Sequence, residues 1–211
     1  MKILLTSAGI TNQSIAKALF DLVGKKPEET TVVYIPTASN IETGDKSWLI
    51  DTLISLKNIH FKSIEITDIS AVSEKIWKPS LERADIIFFE GGNTYYLMEW
   101  INKSGLTTAL PELLKNKVYV GVSAGSMVTN KDLALNIAQT LYCEDLDRDY
   151  ELPGLNYVDF YFLPHLNSKY FPNLRENFVK ETVKNMSEKI YVMDDDSTIK
   201  IVDSFIEIIS E

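Results

Sequence analysis

Cysteine and histidine are scarce in this 211-residue chain, which contains one cysteine and two histidines. The single cysteine, Cys143, excludes an internal disulfide bond. So few cysteine and histidine side chains, together with the absence of an H-E-x-x-H motif, leave no convincing transition-metal site. The sequence therefore predicts an enzyme or binding protein that works without a metal or other cofactor.

Long apolar runs and a surplus of basic residues are missing as well. No stretch approaches the ~18 apolar residues of a membrane span, and the apolar run at the N-terminus is too short for a signal peptide. Thirty acidic residues against 21 basic ones give a net charge of −9, which repels nucleic acid on average. We therefore expect a cytoplasmic protein that binds neither nucleic acid nor membranes.

The composition that remains is typical of a globular enzyme, with 45% hydrophobic and 24% charged residues. A chain of this length buries enough apolar surface to fold without disulfides or metals. We expect residues 1–211 to form one domain, and the sequence is compatible with a homo-oligomer.

Short apolar runs alternate with amphipathic segments, the pattern of βαβ units around a parallel sheet. Before residue 123 the predicted strands are Lys2–Thr6, Thr31–Ile35, Phe61–Ile66, Ala84–Phe89 and Val118–Val122. The predicted helices between them are Asn12–Val23, Ser47–Leu56, Tyr95–Asn102 and Thr107–Lys115.

The second part of the chain is less regular. The acid-rich stretch 144–151 is predicted to be a surface loop. A strand at Phe160–Leu163, a helix at Leu174–Met186 and closing strands at Lys189–Met193, Ile199–Val202 and Phe205–Ile209 are predicted after it, the last two joined as a hairpin. The predicted fold class is α/β, flavodoxin-like, with a parallel sheet that is mixed at one edge and flanked by helices.

The strongest chemical signal is G-x-S-x-G at Gly121–Gly125, directly after a buried strand and before a helix start. In that context the motif predicts a nucleophile elbow, a tight turn that exposes the hydroxyl of Ser123 above the sheet. The backbone N–H of Ala124 would then face a developing oxyanion. The alternative is a glycine-rich turn in which Ser123 only caps the helix.

A serine nucleophile needs a base, and the two histidines are the candidates. His165 follows an apolar run at the end of a predicted strand, where parallel sheets present their ligand-facing groups. His60 lies at the start of a predicted middle strand, at the opposite edge, and is interpreted as structural. A buried structural role is the alternative for His165.

The acid that would orient the imidazole is less defined. Asp194, Asp195 and Asp196 follow a predicted strand and share the edge expected for the site, but a solvated acidic turn is the alternative. Asp132 and the acidic residues of 144–151 are rival orienters, since either segment could fold back over Ser123.

A second turn, Glu90–Thr94, follows the fourth predicted strand and should emerge at the same edge. Its glycines allow close approach of the backbone to a substrate, and the N–H of Gly92 is a candidate second oxyanion donor. A phosphate-binding loop is disfavoured because neither G-x-x-x-x-G-K-[ST] nor G-x-G-x-x-G occurs. A plain βα turn is the remaining alternative.

Taken together, four motifs in this order resemble peptidase family S51, the serine peptidases that include aspartyl dipeptidase (peptidase E) and cyanophycinase. The motifs are Gly91–Thr94, Gly121–Ser126, Pro164-His165 and Asp194-Asp195. The resemblance covers nearly the whole chain and implies a fold like that of class I glutamine amidotransferases.

The resemblance also implies roles for individual residues. Ser123 would be the nucleophile, His165 the general base, and Gly92 and Ala124 the oxyanion donors, and Asn93 would contact the substrate. The family typically has glutamate where this sequence has Asp195, and aspartyl dipeptidases commonly have alanine where it has Ser126. Arg175 is the nearest match to the arginine that pairs with an acidic substrate side chain in aspartate-selective members.

The sequence therefore predicts a serine peptidase that hydrolyses short peptides through an acyl-enzyme, with an acidic N-terminal residue as one candidate preference. An α/β-hydrolase esterase is the first alternative, because it also uses G-x-S-x-G; it orders its residues Ser, acid, His, which Asp132 or Asp145 as the acid would satisfy. A non-catalytic module that binds a small molecule at the glycine turn is the second.

Overall fold

In the computed structural model, which describes residues 1–210, the apolar runs of the sequence form strands. Apolar residues fill the inner strands because a strand buried on both faces cannot carry the polar half of an alternating pattern. The strands are β1 (Lys2–Thr6), β2 (Thr31–Ile35), β3 (Ser63–Ile66), β4 (Ile86–Phe89), β5 (Val118–Val122), β6 (Phe160–Leu163), β7 (Lys189–Val192), β8 (Thr198–Val202) and β9 (Phe205–Ile209).

Helices connect most of these strands. They are α1 (Gln13–Val23), α2 (Thr37–Asn40), α3 (Ser47–Asn58), α4 (Glu74–Arg83), α5 (Thr94–Lys103), α6 (Leu106–Leu113), α7 (Ala124–Met127), α8 (Leu135–Ile137) and α9 (Glu176–Val183). A 3₁₀ turn at Pro27–Glu29 and a π-helical turn at Ala138–Tyr142 complete the regular structure of the described residues.

The main sheet contains seven strands in the order β3-β2-β4-β5-β1-β8-β9. The first five run parallel, whereas β8 is antiparallel to β1 and β9 is antiparallel to β8. Apolar side chains on each face of the sheet pack under the helices in two large buried clusters. The predicted fold class is confirmed, including the mixed edge.

One predicted strand lies elsewhere than expected. The run Lys189–Met193 was predicted to close the main sheet, but β7 pairs in parallel with β6 in a separate two-stranded sheet. Because parallel strands bring their carboxyl ends to the same edge, the residues that follow β6 and β7 lie close together.

Several predicted boundaries are wrong. The helix predicted over Leu174–Met186 is only Glu176–Val183, and α4 was not predicted at all. The third strand begins at Ser63 because His60 has φ 62° and turns the chain before it. That strand is also the edge of the sheet rather than its middle, and His60 lies exposed in the preceding turn.

Candidate active site

Three strand ends meet at one point of the main sheet. Strands β4, β5 and β1 are neighbours and run parallel, so the residues that follow them emerge side by side. These residues are the Gly91-Gly92 turn after β4, Ser123 after β5 and Ser7 after β1. This edge is where open parallel sheets bind their ligands.

The backbone at Ser123 has the strained geometry of a nucleophile elbow, with φ 48° and ψ −109°. The tight turn requires Gly125, because a Cβ at this position would collide with the carbonyl oxygen of Phe89. Ser126 secures the turn, since its hydroxyl donates to the Thr6 carbonyl at 2.9 Å and accepts the Thr6 N–H at 3.1 Å. The alanine common in aspartyl dipeptidases could not make these bonds.

The structure brings Ser123, His165 and Asp195 together in a hydrogen-bonded chain. The Oγ atom of Ser123 lies 3.0 Å from Nε2 of His165, and Nδ1 of His165 lies 2.7 Å from Oδ1 of Asp195. Both distances are within hydrogen-bond reach, as proton transfer from a serine to an oriented imidazole requires.

The rival acids are engaged elsewhere. Both carboxylate oxygens of Asp132 accept the hydroxyl of Tyr161. Asp194 accepts the backbone N–H of Asp196, and Glu151 accepts the backbone N–H groups of Leu133 and of Leu135, at the start of α8. Among the described residues, Asp195 is the one carboxylate within hydrogen-bond distance of His165.

Two residues that sequence reasoning missed, Ser7 and Phe171, contact His165. The hydroxyl of Ser7 accepts the backbone N–H of His165 at 3.2 Å and donates to the Met193 carbonyl at 3.1 Å. The ring of Phe171 stacks on the imidazole, with 4.3 Å between centroids and 12° between planes. Ser7 directly follows the predicted strand Lys2–Thr6, and this position was the signal that the sequence offered.

The environment keeps Asp195 ionised. Burial alone would raise the pKa of this carboxyl, but the neighbouring His165 and a hydrogen bond from Ser168 lower it below its ordinary value. A carboxylate in this position stabilises an imidazolium and fixes the tautomer of the ring, so that Nε2 faces the serine.

The predicted oxyanion donors have free N–H groups. Neither the Gly92 nor the Ala124 backbone amide donates a hydrogen bond within residues 1–210. Gly92 adopts φ 127°, a conformation that side chains rarely permit, and a Cβ there would collide with the Ala38 carbonyl. The turn that carries it is therefore restricted to glycine and lies close to Ser123.

Asn93 has a structural task besides the substrate contact that the resemblance implies. Its side-chain oxygen accepts the N–H of Tyr96 at 2.7 Å and so caps α5, and its Nδ2 donates to Asp145 at 3.2 Å. The loop 144–151 therefore contacts the glycine turn, and the Tyr95 hydroxyl also holds it through the carbonyl of Tyr150.

The same loop makes one side of the site acidic. Burial and then the charges of Glu42 and Asp145 raise the pKa of Glu144 to about 8. Burial likewise raises the pKa of Asp145, although its bond from Asn93 opposes the shift. The carboxyl groups of Glu144 and Asp145 therefore retain their protons more readily than exposed carboxyl groups do.

Arg175 lies immediately before α9 rather than on it, as its N-terminal flanking residue. Its Nη1 atom is within 3.1 Å of the carbonyls of Ser168, Phe171 and Leu174, which ties together the loop that follows His165. The residue is exposed, and its Nε and Nη2 donors have no partner within the described chain.

Residues 1–210 contain neither a candidate metal site nor a candidate membrane-spanning helix. No group of three or more histidine, cysteine, aspartate and glutamate side chains there is arranged to hold a metal ion. In the same range, no helix has the length and apolar character needed to cross a membrane.

Comparison with solved structures identifies close neighbours of this fold. A crystal structure of a candidate peptidase E from Listeria monocytogenes superposes with a TM-score of 0.80 at 24% identity, covering 100% of this chain and 98% of that one. A peptidase from an acI-B1 actinobacterium gives a TM-score of 0.72 at 15% identity, covering 100% and 87%. Both likenesses support the fold, which in peptidase E resembles class I glutamine amidotransferases.

Sequence relatives point in the same direction. Uncharacterized peptidases of Listeria innocua and Pasteurella multocida are 27% and 29% identical over 192 and 144 residues. These alignments cover 81% and 65% of this chain and 84% and 66% of the relatives. The model of peptidase family S51 matches residues 3–209. Because this match spans almost the whole sequence, the chain belongs to peptidase family S51 and is a serine-type peptidase.

Proposed function

We propose that this peptidase hydrolyses short peptides through an acyl-enzyme formed on Ser123, with His165 as the general base and Asp195 as the acid that orients it. The observation that carries the proposal is the 3.0 Å separation between Ser123 Oγ and His165 Nε2, continued at 2.7 Å to Asp195. The resemblance to serine peptidases implies the same three roles.

The proposed reaction uses each group in turn. Ser123 Oγ attacks the peptide carbonyl while its proton passes to His165 Nε2, and the free N–H groups of Gly92 and Ala124 bind the resulting oxyanion. The imidazolium then gives its proton to the leaving amine as the C–N bond breaks. Water, deprotonated by the same imidazole, hydrolyses the acyl-enzyme and restores the serine.

An esterase of the α/β-hydrolase type is less well supported. Its order of Ser, acid and His would require Asp132 or Asp145 to orient His165, but these carboxylates bond to Tyr161 and Asn93. A pure binding role leaves unexplained why a base lies within reach of the serine hydroxyl at a strained elbow.

The substrate preference within this class is the finer part of the proposal. The loop 144–151 is bonded to the glycine turn at Asn93, which favours a substrate of two or three residues over a long polypeptide. Arg175 is the candidate for pairing with an acidic N-terminal residue, because three of its five N–H donors are unpaired in the described chain.

A dipeptide panel with acidic, neutral and basic N-terminal residues tests the proposal, with the Ser123→Ala variant as the control. We expect Ser123→Ala to lose activity by ~10⁴-fold or more while remaining folded. Arg175→Gln should selectively raise KM for acidic dipeptides if Arg175 pairs with them. Near-normal hydrolysis by Ser123→Ala would overturn the proposed mechanism.

A further inference from the structure

A buried glutamate lies directly before the glycine turn of the candidate site, and the proposed reaction does not use it. Glu90 follows the last residue of β4 and is only 1% exposed. Within residues 1–210 it forms no ion pair with a lysine, arginine or histidine. A carboxyl group buried without a basic partner is costly, so its retention calls for a specific interaction.

The contacts of Glu90 join two neighbouring strands to the turn. The hydroxyl of Tyr34, on β2, donates to Oε2 of Glu90 at 2.5 Å. The backbone N–H of Gly91 donates to Oε1 at 2.9 Å. Glu90 thus anchors the first peptide of the turn to the interior of the protein.

The anchored peptide is in contact with the nucleophile. A Cβ placed at Gly91 would lie 3.2 Å from Cβ and 3.9 Å from Oγ of Ser123, so the backbone of Gly91 packs directly beside the serine. The next amide is that of Gly92, the proposed oxyanion donor. Its far side is fixed by Ala38, whose carbonyl accepts the N–H of Asn93 at 3.0 Å.

Burial also affects the ionisation of the Glu90 carboxyl group. Burial raises its pKa to about 7, while the hydrogen bonds from Tyr34 and Gly91 oppose this shift. Whether ionised or protonated, the group keeps an oxygen that accepts the Gly91 N–H. An apolar side chain of similar size would leave that N–H buried and unpaired.

We propose that Glu90 is a positioning residue, whose carboxyl group, anchored by Tyr34, holds the Gly91-Gly92 turn so that the Gly92 amide faces the oxyanion. The inference rests on the proposed serine peptidase mechanism. It predicts that loss of the carboxyl group weakens binding of the transition state and leaves binding of the ground-state peptide unchanged, because the oxyanion forms only as the bond is attacked.

Steady-state kinetics on a dipeptide cleaved by the wild type test this inference. Glu90→Leu should lower kcat by about 10- to 100-fold with KM changed by less than about threefold, whereas Glu90→Gln, which keeps an acceptor oxygen, should recover most of kcat. Tyr34→Phe should give a smaller loss in kcat, again at constant KM. A dipeptide aldehyde, whose hemiacetal oxygen occupies the oxyanion position, should bind Glu90→Leu more weakly by a similar factor.

A matched variant separates positioning from general destabilisation. Ile86→Ala removes a buried side chain from the same face of β4, four residues earlier, and should leave kcat unchanged in the folded protein. Wild-type kcat in folded Glu90→Leu, or an equal loss in Ile86→Ala, would overturn the inference. If Glu90→Leu does not fold, unchanged kcat and aldehyde affinity in Tyr34→Phe would overturn it instead. Failure of the proposed mechanism itself would be seen separately, as activity retained in Ser123→Ala.

Discussion

Asp195 differs from the two aspartates beside it in what it touches. Its Oδ1 lies 2.7 Å from His165, whereas Asp194 binds a backbone N–H of the same turn. Both neighbours are also more exposed than Asp195. Three consecutive carboxylates repel one another, so a turn of this composition is favourable where one of them has a dedicated partner.

Replacement of these aspartates by asparagine should therefore have unequal effects. Asp195→Asn removes the charge that stabilises the imidazolium and can reverse the tautomer, so kcat should fall by about 10³- to 10⁴-fold with little change in KM. Asp194→Asn, Asp196→Asn and Asp132→Asn should each cost less than about tenfold. Kinetics on the four variants, with unfolding curves recorded in parallel, check this. A larger loss of kcat in Asp132→Asn than in Asp195→Asn would mean that Asp132 is the acid that orients His165.

The protonation of Glu90 should make stability depend on pH. Its pKa is raised from 4.5 to about 7 by burial, so the native state holds a proton that the unfolded state releases between these values. Its contribution is therefore fully present below pH 4.5 and is lost as the pH rises through 7, by about 3 kcal/mol. Glu90→Gln cannot titrate and should gain that much stability relative to wild type between pH 4.5 and 8. Urea unfolding at both pH values measures the difference, and a constant difference would contradict the assigned ionisation.

The sequence allows a site residue to be predicted where a local motif or a strand end identifies it. Ser123 is marked by G-x-S-x-G, and His165 was the one histidine expected at a strand end, so both could be named as candidates. Phe171 and Ser7 were not foreseen, because their contacts with His165 join segments that are distant in the sequence. Arg175 was placed on a helix, yet it precedes the helix, since its side chain binds the carbonyls of the preceding loop.

At the scale of elements, the small sheet of β6 and β7 explains how His165 and Asp195 meet. The strands are parallel and in register from Phe160 with Lys189 to Leu163 with Val192. His165 lies two residues after the end of β6, and Asp195 lies three residues after the end of β7. The N–H of Leu166 donates to the Met193 carbonyl at 2.9 Å and joins the two segments beyond the strands. Strand propensity alone could not reveal this pairing, because parallel pairing is a long-range contact.

A second element escaped prediction for a different reason. Helix α4 contains Pro79, which lacks an N–H and normally argues against a helix interior. The helix forms nevertheless because Trp77 and Leu81 are fully buried against the sheet. Tertiary packing thus outweighs the local sequence signal at α4. Helix α1 differs because the local sequence favours it, with Asn12 capping its N-terminus and Gly24 its C-terminus.

Ser7 joins the main sheet to the small one, which gives a prediction about these elements. Its hydroxyl is buried and bridges the His165 N–H and the Met193 carbonyl. Ser7→Ala leaves both groups without this partner, and we expect kcat to fall by about tenfold and stability by about 1–2 kcal/mol. Ser80→Ala, which removes a buried hydroxyl from α4 bonded to Glu65, is the matched control and should lower stability alone. Equal kcat in Ser7→Ala and wild type would show that the bridge does not align His165.

For the whole molecule, the sheet order concentrates chemistry at one end. The strands β4, β5 and β1 deliver the glycine turn, Ser123 and Ser7 to adjacent positions, although these segments are up to 116 residues apart in the sequence (from 7 to 123). The alternation of strands and helices was enough to predict that edge as the site. The meeting of His165 and Asp195 depends on the second sheet and its parallel register.

The net charge of −9 acts on substrates before any local contact does. A dipeptide with an N-terminal aspartate carries a net charge of −1 at neutral pH, so the field of the protein repels it. Raising the ionic strength from about 10 mM to about 0.15 M shortens the screening length from about 30 to about 8 Å. We therefore expect kcat/KM for an Asp-X dipeptide to rise by about threefold over this range, while an Ala-X dipeptide with the same second residue should change little. A fall in kcat/KM with salt for Asp-X alone would mean that local attraction, for which Arg175 is the candidate, outweighs the field of the whole chain, and Arg175→Gln should then abolish that fall.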